Sequence, residues 1–222
     1  MKKVILTAVT VILSQWTFAQ TTREVGDFTS IKTYDKIPVT LVSSSSNKVE
    51  ISGNKSESVK VVNNNGELKI RMETVGLLQG DDVAVKVYYK NLNDIQASQG
   101  SSISSEDRMK AGMLSITANE GSAIDLDLNA RILDVKANTG GIITLTGSAS
   151  HQTAVVNTGA NYDGERLKTK NTKVTVNAGG NASVYASQSV DAKTRAGGKI
   201  VVYGNPKENK SQKVLGGNID FK

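Results

Sequence analysis

An all-β fold, a single-stranded parallel β-solenoid of about seven 19-residue coils, is what this sequence predicts. Three observations carry that expectation. Gly100, Gly121, Gly140, Gly159, Gly179, Gly197 and Gly216 recur at intervals of 21, 19, 19, 20, 18 and 19 residues. Apolar side chains stand at odd offsets on both sides of each glycine. Aromatic residues make up only 5% of the chain, as a thin aliphatic core requires.

The offsets define the elements of one coil. Three residues after each glycine come Ile103, Ile124, Ile143, Tyr162, Ala182, Ile200 and Ile219. Five residues after, Leu126, Leu145, Val184, Val202 and Phe221 continue the pattern, with Ser105 and Gly164 as exceptions. Upstream, Ala97, Ala118, Ala137, Val156 and Val176 stand at −3, and Ile95, Ile116, Val135, Ala154 and Val174 at −5. Alternation by two is the signature of strands that bury one face. The glycine between them marks a tight turn that needs positive φ. A unit of this length cannot close its own core, so it must stack on its neighbours. Asn119, Asn138, Asn157 and Asn177, two residues before their glycines, are expected to form a side-chain ladder along the turns. The seventh coil breaks the upstream pattern with Ser211 and Lys213.

Residues 24–91 follow a different plan. Short period-two runs such as Val39/Leu41, Val49/Ile51 and Leu68/Ile70 alternate with polar turns such as Asn63-Asn64-Asn65-Gly66. Five or six irregular strands are expected, capping one end of the regular coils at 92–222. A cap is needed because an open solenoid end exposes strand edges. No linker intervenes, so residues 20–222 read as one domain.

The first 19 residues read as a signal peptide. Lys2 and Lys3 precede an apolar run from Val4 to Trp16, and Thr17-Phe18-Ala19 offers small residues at −3 and −1 of a cleavage site. The run is short for a bilayer span, which takes about 20 residues. The expected destination is export to the periplasm, the outer-membrane surface or the medium. Cleavage takes the formal charge from +6 to +4, because two lysines leave.

Composition narrows the chemistry. The absence of cysteine excludes disulfides, thiol catalysis and thiolate metal sites, and one histidine, His151, argues against a zinc site or a triad. No catalytic residue, metal site or cofactor is expected. Asp125 and Asp127 flank inward Leu126 and point outward as a solvated pair, the bland alternative to a calcium or glycosidase pair. Lys193, Arg195 and Lys199 surround the sixth turn, and Lys168 and Lys170 precede the fifth. Together they are the candidate ligand-binding set for anionic glycans or surface proteins. Tyr162 joins that set because the segment Asn161–Arg166 departs most from the template. Nucleic acid is not expected as a partner, since base-stacking aromatics are not interleaved with the basic groups.

Several of these segments together resemble a known family. They are Leu68-Lys69-Ile70, Tyr88 to Leu92, the repeated Asn-x-Gly turns, Gly197-Gly198-Lys199-Ile200-Val201-Val202-Tyr203-Gly204-Asn205-Pro206, and Gly216-Gly217-Asn218-Ile219-Asp220-Phe221. The chain is similar to the bacterial family described as "putative auto-transporter adhesin, head GIN domain". That resemblance implies an envelope or secreted β-helical protein with an adhesive role and brings no catalytic motif. The expected function is therefore binding or scaffolding in the cell envelope. A polysaccharide-active enzyme on a β-helix and a purely structural envelope protein are the alternatives.

Overall fold

The computed structural model describes residues 21–222, so the expected signal peptide lies outside the described residues. The N-terminal part contains β1 (Thr21–Glu24), β2 (Ser30–Thr33), β3 (Pro38–Ser43), β4 (Lys48–Gly53), β5 (Val59–Asn64), β6 (Glu67–Met72) and β7 (Val83–Tyr89). The regular coils begin with β8 (Asp94–Ala97), β9 (Ser102–Ser105), β10 (Met109–Ala118), β11 (Ala123–Ala137) and β12 (Ile142–Val156). They continue through β13 (Asn161–Gly164), β14 (Leu167–Asn177), β15 (Asn181–Tyr185) and β16 (Ser189–Arg195). β17 (Lys199–Tyr203), β18 (Glu208–Val214) and β19 (Asn218–Phe221) complete the chain. All nineteen strands among the described residues share one continuous sheet.

Each coil has an upstream limb before its glycine and a downstream limb after it. Upstream limbs stack in parallel as β8, β10, β11, β12, β14, β16 and β18. Downstream limbs stack as β9, β11, β12, β13, β15, β17 and β19. β11 and β12 serve both limbs, because each runs unbroken from one turn to the next. The predicted columns are the observed register: Ile95, Ile116, Val135, Ala154, Val174 and Ala192 lie side by side, and all are buried. The core is a stack of small aliphatic layers, which is why few aromatics are needed.

The turns share one geometry. In the third coil, Gly141 donates its amide to Asn138 O at 2.9 Å, while Thr139 and Gly140 have φ of 48° and 73°. Positive φ at both central residues is a type I′ turn, whose twist suits the strands it joins. The glycine relieves the backbone at the second central position. A non-glycine residue accepts the strain at the first, from Gln99 and Glu120 through to Leu215.

The N-terminal part does more than cap. β2 pairs in parallel with β8 and β6, and β3 with β9 and β7, so two further rungs extend the solenoid beyond residue 92. The turn between β2 and β3 carries Asp35 and Lys36 at φ of 61° and 62°, the same device as in the later coils. Chain order and spatial order differ here: the β2–β3 rung sits between β6–β7 and β8–β9. The outermost rung is then closed by antiparallel strands, with β5 on β6, β4 on β7 and β1 on β4. At the opposite end β18 pairs, among the described residues, with β16 alone, and six of its seven residues are exposed. Lys210 and Lys213 on that strand discourage edge-to-edge pairing.

Candidate binding face

The turn edge is held by a side-chain ladder. Asn177 Nδ2 donates to Asn157 Oδ1 at 2.7 Å, Asn157 to Asn138 at 2.7 Å, and Asn138 to Asn119 at 2.8 Å. Asn119 ends the chain on Ser98 Oγ at 3.2 Å. Each asparagine donates to the side chain of the coil before it, so this strip holds the turns in register.

The structure separates Lys168 and Lys170 from Lys193, Arg195 and Lys199, which stay together around the sixth turn. Gln188 N donates to Lys170 O at 2.9 Å, which places Lys170 beside Gln188. Lys193 stands five residues further along the same limb, about 16 Å away by strand rise. That exceeds the screening length of about 8 Å at physiological salt. Lys168 is occupied with the Tyr185 ring, its Nζ 4.0 Å from the ring centroid. Lys193 is half-buried, whereas Arg195 and Lys199 are exposed on either side of the sixth turn.

Tyr162 needs a correction: its side chain lies in the core, 2% exposed, and presents nothing to a ligand. Gln152 donates to its hydroxyl inside the coil. Burial pushes its phenol pKa up. The apparent break in the fourth coil has a packing cause. A Cβ on Gly164 would lie 2.7 Å from Tyr162 Cζ, so the glycine makes room for the one aromatic ring in that column. His151 is exposed on β12, and Asp125 is exposed as expected. Asp127 is engaged by Arg108 Nε at 3.0 Å from each carboxylate oxygen. Among the described residues no group of three or more His, Asp or Glu side chains is placed to hold a metal ion. No helix among them is long and apolar enough to cross a membrane.

What the basic set does not provide, the downstream limb does. Two depressions on the outer face of this limb meet at Lys199 and Val201. They make one trough that crosses the fourth to seventh coils along the solenoid axis. Short side chains form its floor at offset +4: Asp163, Ser183, Val201 and Asp220 are adjacent in register. One wall is the +2 column, where Asn181 Nδ2 donates to Asn161 Oδ1 at 3.1 Å and Lys199 lies next in register to Asn181. The other wall is the +6 column, where Tyr203 lines the trough and Tyr185 is its register neighbour. Gly204 lets the Tyr185 ring lie close: a Cβ there would be 2.7 Å from Tyr185 Cζ. Desolvation, with the Glu165 carboxylate beside it, raises the Tyr203 phenol pKa.

The trough was missed in the sequence because its columns stand at even offsets, which alternation assigns to solvent. The signal was nonetheless present. Tyr185 and Tyr203 each follow their glycine by six residues, so they had to be neighbours once the coils were stacked. The upstream limb carries a second depression with alternating charge, Lys173, Asp191 and Lys210 being register neighbours.

Known proteins share this architecture. The chain superposes on a "putative adhesin" from Bacteroides fragilis NCTC 9343 with a TM-score of 0.85 at 18% identity, covering 94% of this chain and 98% of that one. A "putative adhesin" from Parabacteroides distasonis ATCC 8503 matches with a TM-score of 0.76 at 17% identity, over 92% and 97% of the two chains. A "putative lipid binding protein" from the same organism matches with a TM-score of 0.72 at 15% identity, over 90% and 95%. At such identities these likenesses speak for the fold. No curated protein matches the chain. The family description "putative auto-transporter adhesin, head GIN domain" matches residues 27–206, so the chain belongs to that family.

Proposed function

We propose that this protein is exported and works by attachment, as a non-catalytic adhesin or envelope scaffold that meets its partner along a lateral sheet. One observation carries this reading. The parallel stack sets outward polar side chains in columns that run past many coils, a surface suited to a long partner rather than to a small substrate. Nine rungs at a strand spacing of about 4.8 Å give a face about 40 Å long. Each contact along such a face is weak, and affinity comes from engaging many at once.

Family membership and the shared fold of the Bacteroides and Parabacteroides proteins support the adhesive role. Beads coated with the mature protein test it against glycans and matrix proteins, beside assays for new reducing ends on the same polysaccharides. Retention without release of reducing ends is expected. Release of reducing ends would make the protein an enzyme, and retention of nothing would leave a structural envelope role.

A further inference from the structure

The trough on the downstream limb has a geometry that selects among polymers. Its floor repeats once per rung, at the strand spacing of about 4.8 Å. A peptide strand rises only about 3.3 Å per residue and falls out of step with such a repeat. An extended β-1,4-linked hexose chain rises by only slightly more than one rung spacing per sugar and stays in step over the four rungs of the trough.

The chemistry of the walls agrees. Tyr203 is half-buried beside the floor and offers an aromatic flank to the apolar face of a sugar ring. Lys199 faces it across the floor on the same strand, and Asn181 and Asn161 continue that wall on the two preceding rungs with amide groups that both donate and accept. Asp163 and Asp220 add carboxylate acceptors for hydroxyl groups, and Asn218 holds Asp220 at 2.9 Å and 3.1 Å. Charges of both signs border the trough. A polyanion laid along it would meet Asp163 and Asp220 on the floor, whereas an uncharged chain meets no such penalty.

We propose that this trough binds an extended, uncharged β-linked polysaccharide lying along the solenoid axis, with about one hexose per rung between the asparagine and tyrosine walls. This rests on the attachment reading above and names its ligand class and its site. The basic groups at Lys193 and Arg195 belong to the other limb and take no part.

Native affinity electrophoresis of the mature protein, through gels containing hydroxyethylcellulose, galactomannan or polygalacturonate, tests the proposal. Retardation is expected in at least one of the two uncharged polymers and should be equal at low and high salt. Ser183→Arg, which fills the floor, and Tyr203→Ala, which removes a wall, should each weaken the apparent affinity at least tenfold with an unchanged melting temperature. Lys193→Glu with Arg195→Glu should leave it unaltered. Retardation that survives Ser183→Arg in a folded protein overturns the site. Salt-sensitive retardation by polygalacturonate alone, lost in the Lys193/Arg195 variant, overturns the proposal and leaves the attachment reading standing. Retardation by none of the three also overturns it, and the bead assay then decides the attachment reading separately.

Discussion

Gln152 and Tyr162 meet inside the solenoid, the amide of one donating to the hydroxyl of the other in a core built mainly of aliphatic layers. Gln152 Oε1 is buried without a partner, and the Tyr162 ring occupies the space that Gly164 leaves empty. The pair is a packing solution specific to the fourth coil. Gly164→Ala should therefore destabilise the protein by about 1–3 kcal/mol, as overpacking does. Tyr162→Phe should cost about 1–3 kcal/mol by stranding the amide, and Gln152→Met added to it should recover part of the loss. Urea unfolding of these three variants and of Gln152→Met alone checks this. Additive losses in the double variant would show that the two side chains do not interact.

The asparagine ladder makes a graded prediction. Asn138 both donates to Asn119 and accepts from Asn157, whereas Asn177 donates to Asn157 at the ladder's end. Asn138→Ala should cost more than Asn177→Ala, about 1–2 kcal/mol against about half that, because it breaks two bonds in place of one. Thermal or urea melts compare the two directly. Equal costs would mean that the side chains contribute through the turn backbone alone.

Acid sensitivity should be traceable to Glu67. Lys32 Nζ lies 2.6 Å and Lys69 Nζ 3.0 Å from its carboxylate, and these bonds hold its pKa below the ordinary 4.5. A carboxylate depressed in the folded state adds stability that is fully present above its unfolded pKa. That stability is lost as pH falls through the folded value. The wild-type protein should thus be more stable than Glu67→Gln at neutral pH, and the gap should close below pH 4.5, the ordinary value. Melting temperatures of both proteins from pH 7 downwards measure the gap. A gap that is constant with pH would remove Glu67 from the acid response.

Export is checked at the N-terminus. Intact mass of the protein recovered from the envelope or medium should correspond to a chain beginning at Gln20, without the 19 residues that end in Ala19. Full-length protein retained in the cytoplasm would contradict it.

The regular coils were legible because their physics is local. Alternation decides which side chains of a strand face inward, and a residue that must take positive φ punctuates every coil at the same place. Ile116, Ile124, Ile143 and Ile200 could be assigned to the core, and Asn119 to Asn177 to a ladder, from spacing alone. Tertiary structure decided what depends on partners distant in sequence. The β2–β3 rung is inserted between β6–β7 and β8–β9, because Ile31 finds Leu68 on one side and Ile95 on the other. Alternation says that Ile31 points inward and is silent on which strands lie beside it. The same limit governs the candidate sites. Lys170 and Lys193 lie on adjacent stacked strands of one limb, but they stand at different heights along it and the strand rise keeps them apart. Tyr185 and Tyr203 are eighteen residues apart and become neighbours because one coil lies between them. Spacing along the chain determines the direction of a side chain, and stacking determines its company.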